Sequence, residues 1–340
     1  MREGVVGMGG TVIVTGGSQG LGYQAAKSIV AGGDGWHVVV AGRDGGKVAG
    51  AVGRLGAEGG GTGVEGMGLD LASLSSVRSF VEAFVARDDL PPLRGIVCNA
   101  GLQVVSGTSY TEDGFETTFG VNHLGHYLLV NLMLDQMVPP ARVVFVSSGT
   151  HDPEQNTGMP APRHYPGARA LAWPERYSAE GGGGPGAVGR RRYTTSKLCS
   201  VYASYELARR LSGSGITSNA FDPGYMPGTG LARDWGPVAR FVSDRILPPL
   251  LPVFGTLGMN VHTVEASGRA LARLVTDPGL EDVSGRYFEG EKEVRSSELS
   301  YDRENARELW ETSAELVGLD PEGRAVDVPG RRRSRRGGEV

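Results

Sequence analysis

Cysteine is nearly missing from this chain of 340 residues: Cys98 and Cys199 leave no material for a disulfide framework or a thiolate metal cluster. Excess charge of either sign is missing too. With 34 basic against 38 acidic residues the formal net charge is only −4, which makes neither nucleic acid nor an anionic membrane the expected partner. No apolar run is long enough to span a bilayer, and the first residues lack a basic stretch followed by a long apolar one. Stable membrane insertion and a secretory signal are therefore not expected, and a reducing cytoplasm is the default location. Glycine, by contrast, is abundant at 55 residues, and its placement is more informative than its number.

Thr11 to Val14 is an apolar run short enough to be a buried strand. It leads directly into Thr15-Gly16-Gly17-Ser18-Gln19-Gly20-Leu21-Gly22, and helical periodicity follows from Tyr23 to Val30. Glycines there allow backbone angles barred to other residues and let a pyrophosphate approach the amides of a helix N-terminus, where the helix dipole also favours negative charge. Strand before and helix after is the context that a dinucleotide cradle requires. Further strands are expected at Thr11 to Thr15, His37 to Ala41, Val64 to Leu69, Gly95 to Asn99, Arg142 to Ser147, Thr217 to Phe221 and Gly285 to Glu289, with helical patterns between them. Apolar strands joined through helices predict one α/β domain with a doubly wound, mostly parallel sheet, whose ligand binds outside the carboxyl ends of the strands.

Tyr193 and Lys197 stand four residues apart in a segment of helical pattern, so both side chains leave the same face. A tyrosine with its ordinary pKa of about 10 exchanges protons poorly at neutral pH, but an adjacent ammonium favours the phenolate. The pair reads as a general acid/base. Cofactor choice is legible at the end of the second strand, where Gly42 is followed by Arg43. A carboxylate there would accept from ribose hydroxyls, whereas an arginine matches a 2′-phosphate with two donors. NADP(H) is favoured, with Lys47 as a secondary contact and Asp44 keeping NAD as the alternative.

Thr-Gly-x-x-x-Gly-x-Gly from Thr15 to Gly22, with Tyr-x-x-x-Lys at Tyr193, resembles the short-chain dehydrogenase/reductase family from Thr11 to about Phe288. Between these motifs lie Asp70 with Leu71 at a strand end, Asn99-Ala100-Gly101, Asn122, Ser148 beside Ser147, and Pro223-Gly224, in the family's order. The resemblance implies a Rossmann-type fold and a reaction in which Tyr193 gives a proton, Ser148 holds the carbonyl oxygen and Asn122 supports a water relay. Lys197 would bind the nicotinamide ribose and lower the phenol pKa. Cofactor contacts implied are Gly16, Ser18, Gln19, Gly20, Leu21, Gly22, Arg43, Asp70, Leu71, Asn99, Ala100, Gly101, Tyr193, Lys197, Pro223 and Gly224. No metal is expected. His123 and His126 read as packing residues, and His151 as a weak candidate for substrate contact at the cleft mouth.

Within the family the chain is similar to the protochlorophyllide reductase and retinol dehydrogenase branch, through Asn122-His123-Leu124-Gly125-His126-Tyr127, Ser196-Lys197-Leu198-Cys199 and the late Leu309-Trp310. It departs from the protochlorophyllide enzyme at Tyr225, where a cysteine would follow the glycine, and at Gly101-Leu102-Gln103. These departures point away from light-driven chlorin reduction and toward a ketone, aldehyde or enone reductase. The expected organisation is one catalytic domain over 1–320, carrying an insertion at 149–190 and an apolar substrate lid at 224–258. A basic tail at 321–340 is too charged and glycine-rich to pack. The expected activity is NADP(H)-dependent reduction of a ketone or aldehyde on a bulky hydrophobic or aromatic small molecule, by a monomer or homo-oligomer. Alternatives are an enone reductase, an epimerase or cyclase, and a non-catalytic NADP-binding sensor. A sensor has no need of the full Asn122, Ser148, Tyr193 and Lys197 set, which favours an enzyme.

Overall fold

Consecutive valine, isoleucine and alanine residues build the central strands of the sheet. The computed structural model describes residues 9–33, 35–58, 63–155, 157–177, 182–226 and 260–320. Strands β1 (Thr11–Thr15), β2 (His37–Gly42), β3 (Val64–Gly68), β4 (Leu93–Cys98), β5 (Met137–Val146), β6 (Ile216–Asp222) and β7 (Tyr287–Glu289) pair in parallel. A short β8 (Lys292–Val294) pairs antiparallel to β7 at one edge. Among the described residues they form one eight-stranded sheet in the order β3-β2-β1-β4-β5-β6-β7-β8. The order reverses between β1 and β4, so the carboxyl ends of these two strands border the crevice in which such sheets bind ligands.

Both faces are covered. Ile13, Val39, Ile96 and Val143 point into one core with Leu128, Tyr202 and Trp310, while their neighbours Val12, Val38, Val97 and Val144 point into the other with Ala25, Ile29 and Leu271. This two-residue alternation is the pleat of a strand buried on both sides. Helices α1 (Gly20–Ala31), α2 (Gly45–Glu58) and α3 (Leu74–Val85) follow the first three strands. After β4 come α4 (Thr117–Phe119), a π-helical turn over Gly120–Leu124 and α5 (Gly125–Met133).

Between β5 and β6 the chain forms two short helices, α6 (Ala168–Ala172) and α7 (Pro174–Tyr177), and then α8 (Pro185–Arg210), which opens on a first-turn proline eight residues before Tyr193. The latter part of the 149–190 segment is thus the start of the helix that carries Tyr193 and Lys197. Helices α9 (Val264–Thr276) and α10 (Arg303–Val317) follow β6 and β8. The stretch 157–177 is anchored on α10 and on the turn before α4: Tyr165 Oη donates to Glu308 Oε2 at 2.7 Å, and Trp173 Nε1 donates to Gly114 O at 3.0 Å. Of the expected lid 224–258, residues 227–258 lie outside the described residues, as does the tail 321–340.

Candidate active site

Residues 15–22 turn from β1 into α1 with Gly16 and Gly20 at φ +65° and +56°, conformations that cost a residue with a Cβ. A Cβ on Gly22 would lie 2.5 Å from Asn99 Nδ2 and 2.6 Å from Gly16 O, so helix and turn meet only through glycine. Asn99 stitches the two strand ends together: its Nδ2 donates to Thr15 O at 2.8 Å, and the amides of Asn99 and Ala100 donate to Thr15 Oγ1 at 2.9 and 3.0 Å. The first turn of α1 holds no acidic residue, and Gln19 at its N-cap makes no side-chain cap. Its amides are therefore left for an anion, and Gly20 opens on unfilled space. Leu21 and Gly22 are buried beneath, with Ser18 half-buried and Gln19 exposed.

Arg43 is exposed just past β2, and the position of an absent Cβ on Gly42 lies 4.0 Å from Ser18 Oγ. Asp44 does not occupy this strand end with its carboxylate. It accepts from Lys47 N at 3.1 Å and pairs with Lys47 Nζ at 3.4 Å, contacts that lower its pKa. A 2′-phosphate would meet an arginine and a hydroxyl here, and the cradle as a whole fits a phosphorylated dinucleotide. On the far side, Asp70 Oδ1 accepts from Ala72 N at 3.0 Å, and a Cβ on Gly125 would lie 2.5 Å from Leu71 O, which seats the Asp70–Leu71 turn on α5.

Catalytic candidates converge from three elements. Asn122 lies in the π turn, a local widening common at functional sites. Its Oδ1 accepts from Leu102 N at 2.8 Å, and its Nδ2 donates to Leu102 O and to Ser196 Oγ, each at 2.9 Å. Ser147 is buried and donates to Lys197 O at 2.8 Å, fastening the end of β5 to α8. Ser148 is the half-buried member of the pair, its Oγ accepting from Thr150 N at 3.3 Å. Gly101 keeps the approach open, for a Cβ there would stand 3.4 Å from Asn122 Oδ1 and 3.6 Å from Lys197 Nζ.

Tyr193 and Lys197 share a face of α8, yet the ammonium lies over the ring, 5.6 Å from its centroid, and donates to Val146 O at 3.0 Å. Burial lowers the Lys197 pKa to about 8, with the Asp222 charge opposing, and burial raises that of the Tyr193 phenol. In the protein alone, desolvation outweighs the lowering expected from the lysine. Pro223 O accepts from Ser267 Oγ at 2.7 Å, and Gly224, at φ +74°, fits against Asn260, whose carbonyl accepts from Tyr225 N at 2.8 Å.

Two residues stand in the site without having been assigned to it from sequence. Asp222, directly before Pro223, has a buried carboxylate that accepts from Gly149 N, Gly224 N and Asn260 Nδ2, each at 2.9 Å. Burial raises its pKa to about 6. The only signal was a lone acid closing an apolar strand. His126, read as a packing residue, bonds to both Thr15 and Asn122. His151, the candidate for substrate contact, is instead buried: its Nδ1 donates to Ser148 O at 2.7 Å and its Nε2 accepts from Ser297 N at 3.3 Å. Among the described residues no group of three or more His, Cys, Asp and Glu could hold a metal, and no helix is long and apolar enough to cross a membrane.

A family model described as short chain dehydrogenase matches residues 10–160. The chain is 39% identical over 326 residues to protochlorophyllide reductase A, chloroplastic, of Oryza sativa subsp. japonica, covering 91% of this chain and 81% of that protein. It is 36% identical over 315 residues to human retinol dehydrogenase 13, covering 92% and 86%. Among solved structures, an uncharacterized protein from Mycobacterium paratuberculosis superposes with a TM-score of 0.64 at 26% identity, over 92% of this chain and 94% of that one.

Proposed function

The chain belongs to the short-chain dehydrogenase/reductase family, in the branch that holds protochlorophyllide reductase and retinol dehydrogenase, and on the premise of an NADP(H)-dependent oxidoreductase we propose that it reduces a ketone or aldehyde on a bulky, hydrophobic or aromatic small molecule. The observation that carries the reading is the Tyr193 ring beneath the Lys197 ammonium on a helix that Ser147, the neighbour of Ser148, fastens to the end of β5. A phenol whose pKa burial raises keeps its proton at neutral pH, which suits a donor to a developing alkoxide. Ser148 Oγ is free to turn its proton toward the substrate oxygen, because its bond to Thr150 uses it as an acceptor. In this reading Lys197 holds the nicotinamide ribose, while Asn122 fixes the loop at Leu102. Bound NADPH supplies the hydride. Leu102, Val104 and Val105 follow Gly101 as half-buried apolar residues, with Leu102 held by Asn122 and Val104 and Val105 passing close to α8 at Gly189, a composition that supports an apolar substrate. Placement in the cytoplasm belongs to the same proposal, supported by two buried cysteines kept as thiols.

The test is turnover of a panel of aromatic and polycyclic ketones, aldehydes and enones, followed by loss of NADPH absorbance. Tyr193→Phe is expected to lower the rate by about 10²–10⁴ while NADPH affinity, measured by fluorescence titration, stays within twofold. Full activity in Tyr193→Phe would remove the proton donor and reopen the enone and cyclase readings. NADPH binding without turnover of any compound would favour a sensor.

A further inference from the structure

We propose that His126 is a positioning residue that ties the dinucleotide cradle to the catalytic turn of Asn122, with its imidazole proton on Nδ1. The assignment follows from counting donors around Thr15 Oγ1. That oxygen has Asn99 N at 2.9 Å, Ala100 N at 3.0 Å, His126 Nε2 at 2.9 Å and Val97 O at 3.2 Å. A hydroxyl has two lone pairs and one proton, and the two amides can only donate. They fill both lone pairs. A proton on His126 Nε2 would then point at an oxygen with nothing left to offer, so Nε2 accepts the Thr15 hydroxyl proton in preference to the more distant Val97 O. The imidazole proton is left on Nδ1, which donates to Asn122 O at 3.2 Å.

That carbonyl lies inside the π turn, where Gly125 N reaches back to Gly120 O and the ordinary helical ladder is displaced. A side chain one turn on can serve such a carbonyl in place of the backbone. Burial, with the charge of Lys197 adding to it, lowers the His126 pKa to about 4, so the ring is neutral at pH 7 and one nitrogen is an acceptor. The bonds therefore run in one direction: amides of Asn99 and Ala100 to Thr15, Thr15 to His126, His126 to Asn122. They join the carboxyl ends of β1 and β4 to the turn whose Asn122 side chain holds Leu102 and Ser196. Chains of this kind polarise one another and fix distances across elements that share no backbone bond.

The catalytic half of this inference rests on the role proposed for Asn122, and the cradle half rests on cofactor binding alone. Two-bond proton–nitrogen NMR on the ¹³C,¹⁵N-labelled protein at pH 7, with the His126 ring assigned through its own backbone in the unmodified protein, reads the tautomer directly. A protonated Nδ1 and bare Nε2 are expected; a protonated Nε2 or a doubly protonated ring overturns the inference. Substitutions divide the two bonds, because an asparagine nitrogen stands near the place of Nδ1 and a glutamine oxygen near that of Nε2. His126→Asn should raise the Kd for NADPH more than it lowers kcat, and His126→Gln should do the reverse. His126→Phe should show both effects, each about three- to tenfold, the worth of a neutral hydrogen bond. If Phe is the mildest of the three, the residue only packs and the proposal is wrong. Should no carbonyl be turned over, the spectrum and the NADPH titrations still decide the cradle half; should the variants not fold, the spectrum of the unmodified protein decides.

Discussion

Three N–H donors converge on the carboxylate of Asp222, two on Oδ2 and one on Oδ1, and this convergence sets what a substitution there does. An asparagine offers one oxygen and one NH2, so whichever way it turns, a donor faces a donor. Asp222→Asn is therefore expected to shift the Gly149 backbone and with it Ser148, lowering kcat by about tenfold, the cost of leaving a buried donor unpaired. In a Ser148→Ala background the further loss should be small, and a double-mutant cycle on kcat checks this; fully additive losses would mean that Asp222 acts on something other than Ser148. Arg43 makes a simpler case. With Asp44 engaged by Lys47, Arg43→Ala should weaken NADPH by about tenfold to a hundredfold and NADH little, the difference a charge-assisted bidentate contact makes. Equal losses for both cofactors in fluorescence titration would sink the 2′-phosphate contact. The expectation for Arg43 could be drawn from the sequence because it depends on one strand end alone. The place of Asp222 could not be, because two of its three partners lie 73 and 38 residues away, and no local pattern brings them together.

At the scale of elements, Gly22 shows what a helix start can tolerate. Its absent Cβ would meet Gly16 O at 2.6 Å and Asn99 Nδ2 at 2.5 Å, and the backbone carbonyl cannot step aside as a flexible side chain can. Gly22→Ala should fold but displace α1 from the turn at a cost of about 1–3 kcal/mol, seen as a lower Tm and NADPH affinity reduced at least tenfold. An unchanged Kd would mean that α1 does not set the cradle. The seven parallel strands were readable because each is a short segment bounded by turn residues and set between helical patterns, although β3 (VEGMG) and β6 (ITSNAFD) are not apolar throughout. β5 begins earlier than its periodicity indicates, at Met137, since Pro139 and Pro140 interrupt the apolar signal. β8 was invisible: three residues, Lys292 to Val294, form a strand only because β7 lies beside them. The π turn was hidden for a different reason, since hydrophobic periodicity cannot distinguish a helix from one widened by a single residue. That hid the role of His126, whose spacing from Asn122 looks like ordinary packing.

Acid stability belongs to the whole molecule, because it sums over every buried group whose proton affinity changes on folding. His123, stacked on Phe119 and bonded to Ser313 Oγ at 2.8 Å, has its pKa lowered by burial to about 3, and His126 to about 4, against 6.5 unfolded. Both folded values are depressed. Their contribution is complete above pH 6.5 and is lost as pH falls toward 4, since the unfolded chain takes up protons that the folded one refuses. His151, also lowered by burial, works in the same direction. Asp222 opposes them: raised to about 6 from 3.8, it binds its proton in the folded chain first, so its contribution rises as pH falls between about 6 and 4. At roughly 1.4 kcal/mol per pKa unit, either histidine alone matches or exceeds the aspartate, and together they outweigh it. Overall charge acts against the histidines as well, because the net −4 at pH 7 shrinks toward zero on mild acidification and relieves self-repulsion. A lower Tm at pH 5 than at pH 7.5 would therefore report the buried imidazoles. Melting curves followed by circular dichroism should show that loss in the unmodified protein and a smaller one in His123→Phe, whose ring keeps the stack on Phe119 but has no proton to take up. A loss at pH 5 as large in His123→Phe as in the unmodified protein would mean that His123 is protonated in the folded chain and that burial does not hold it neutral.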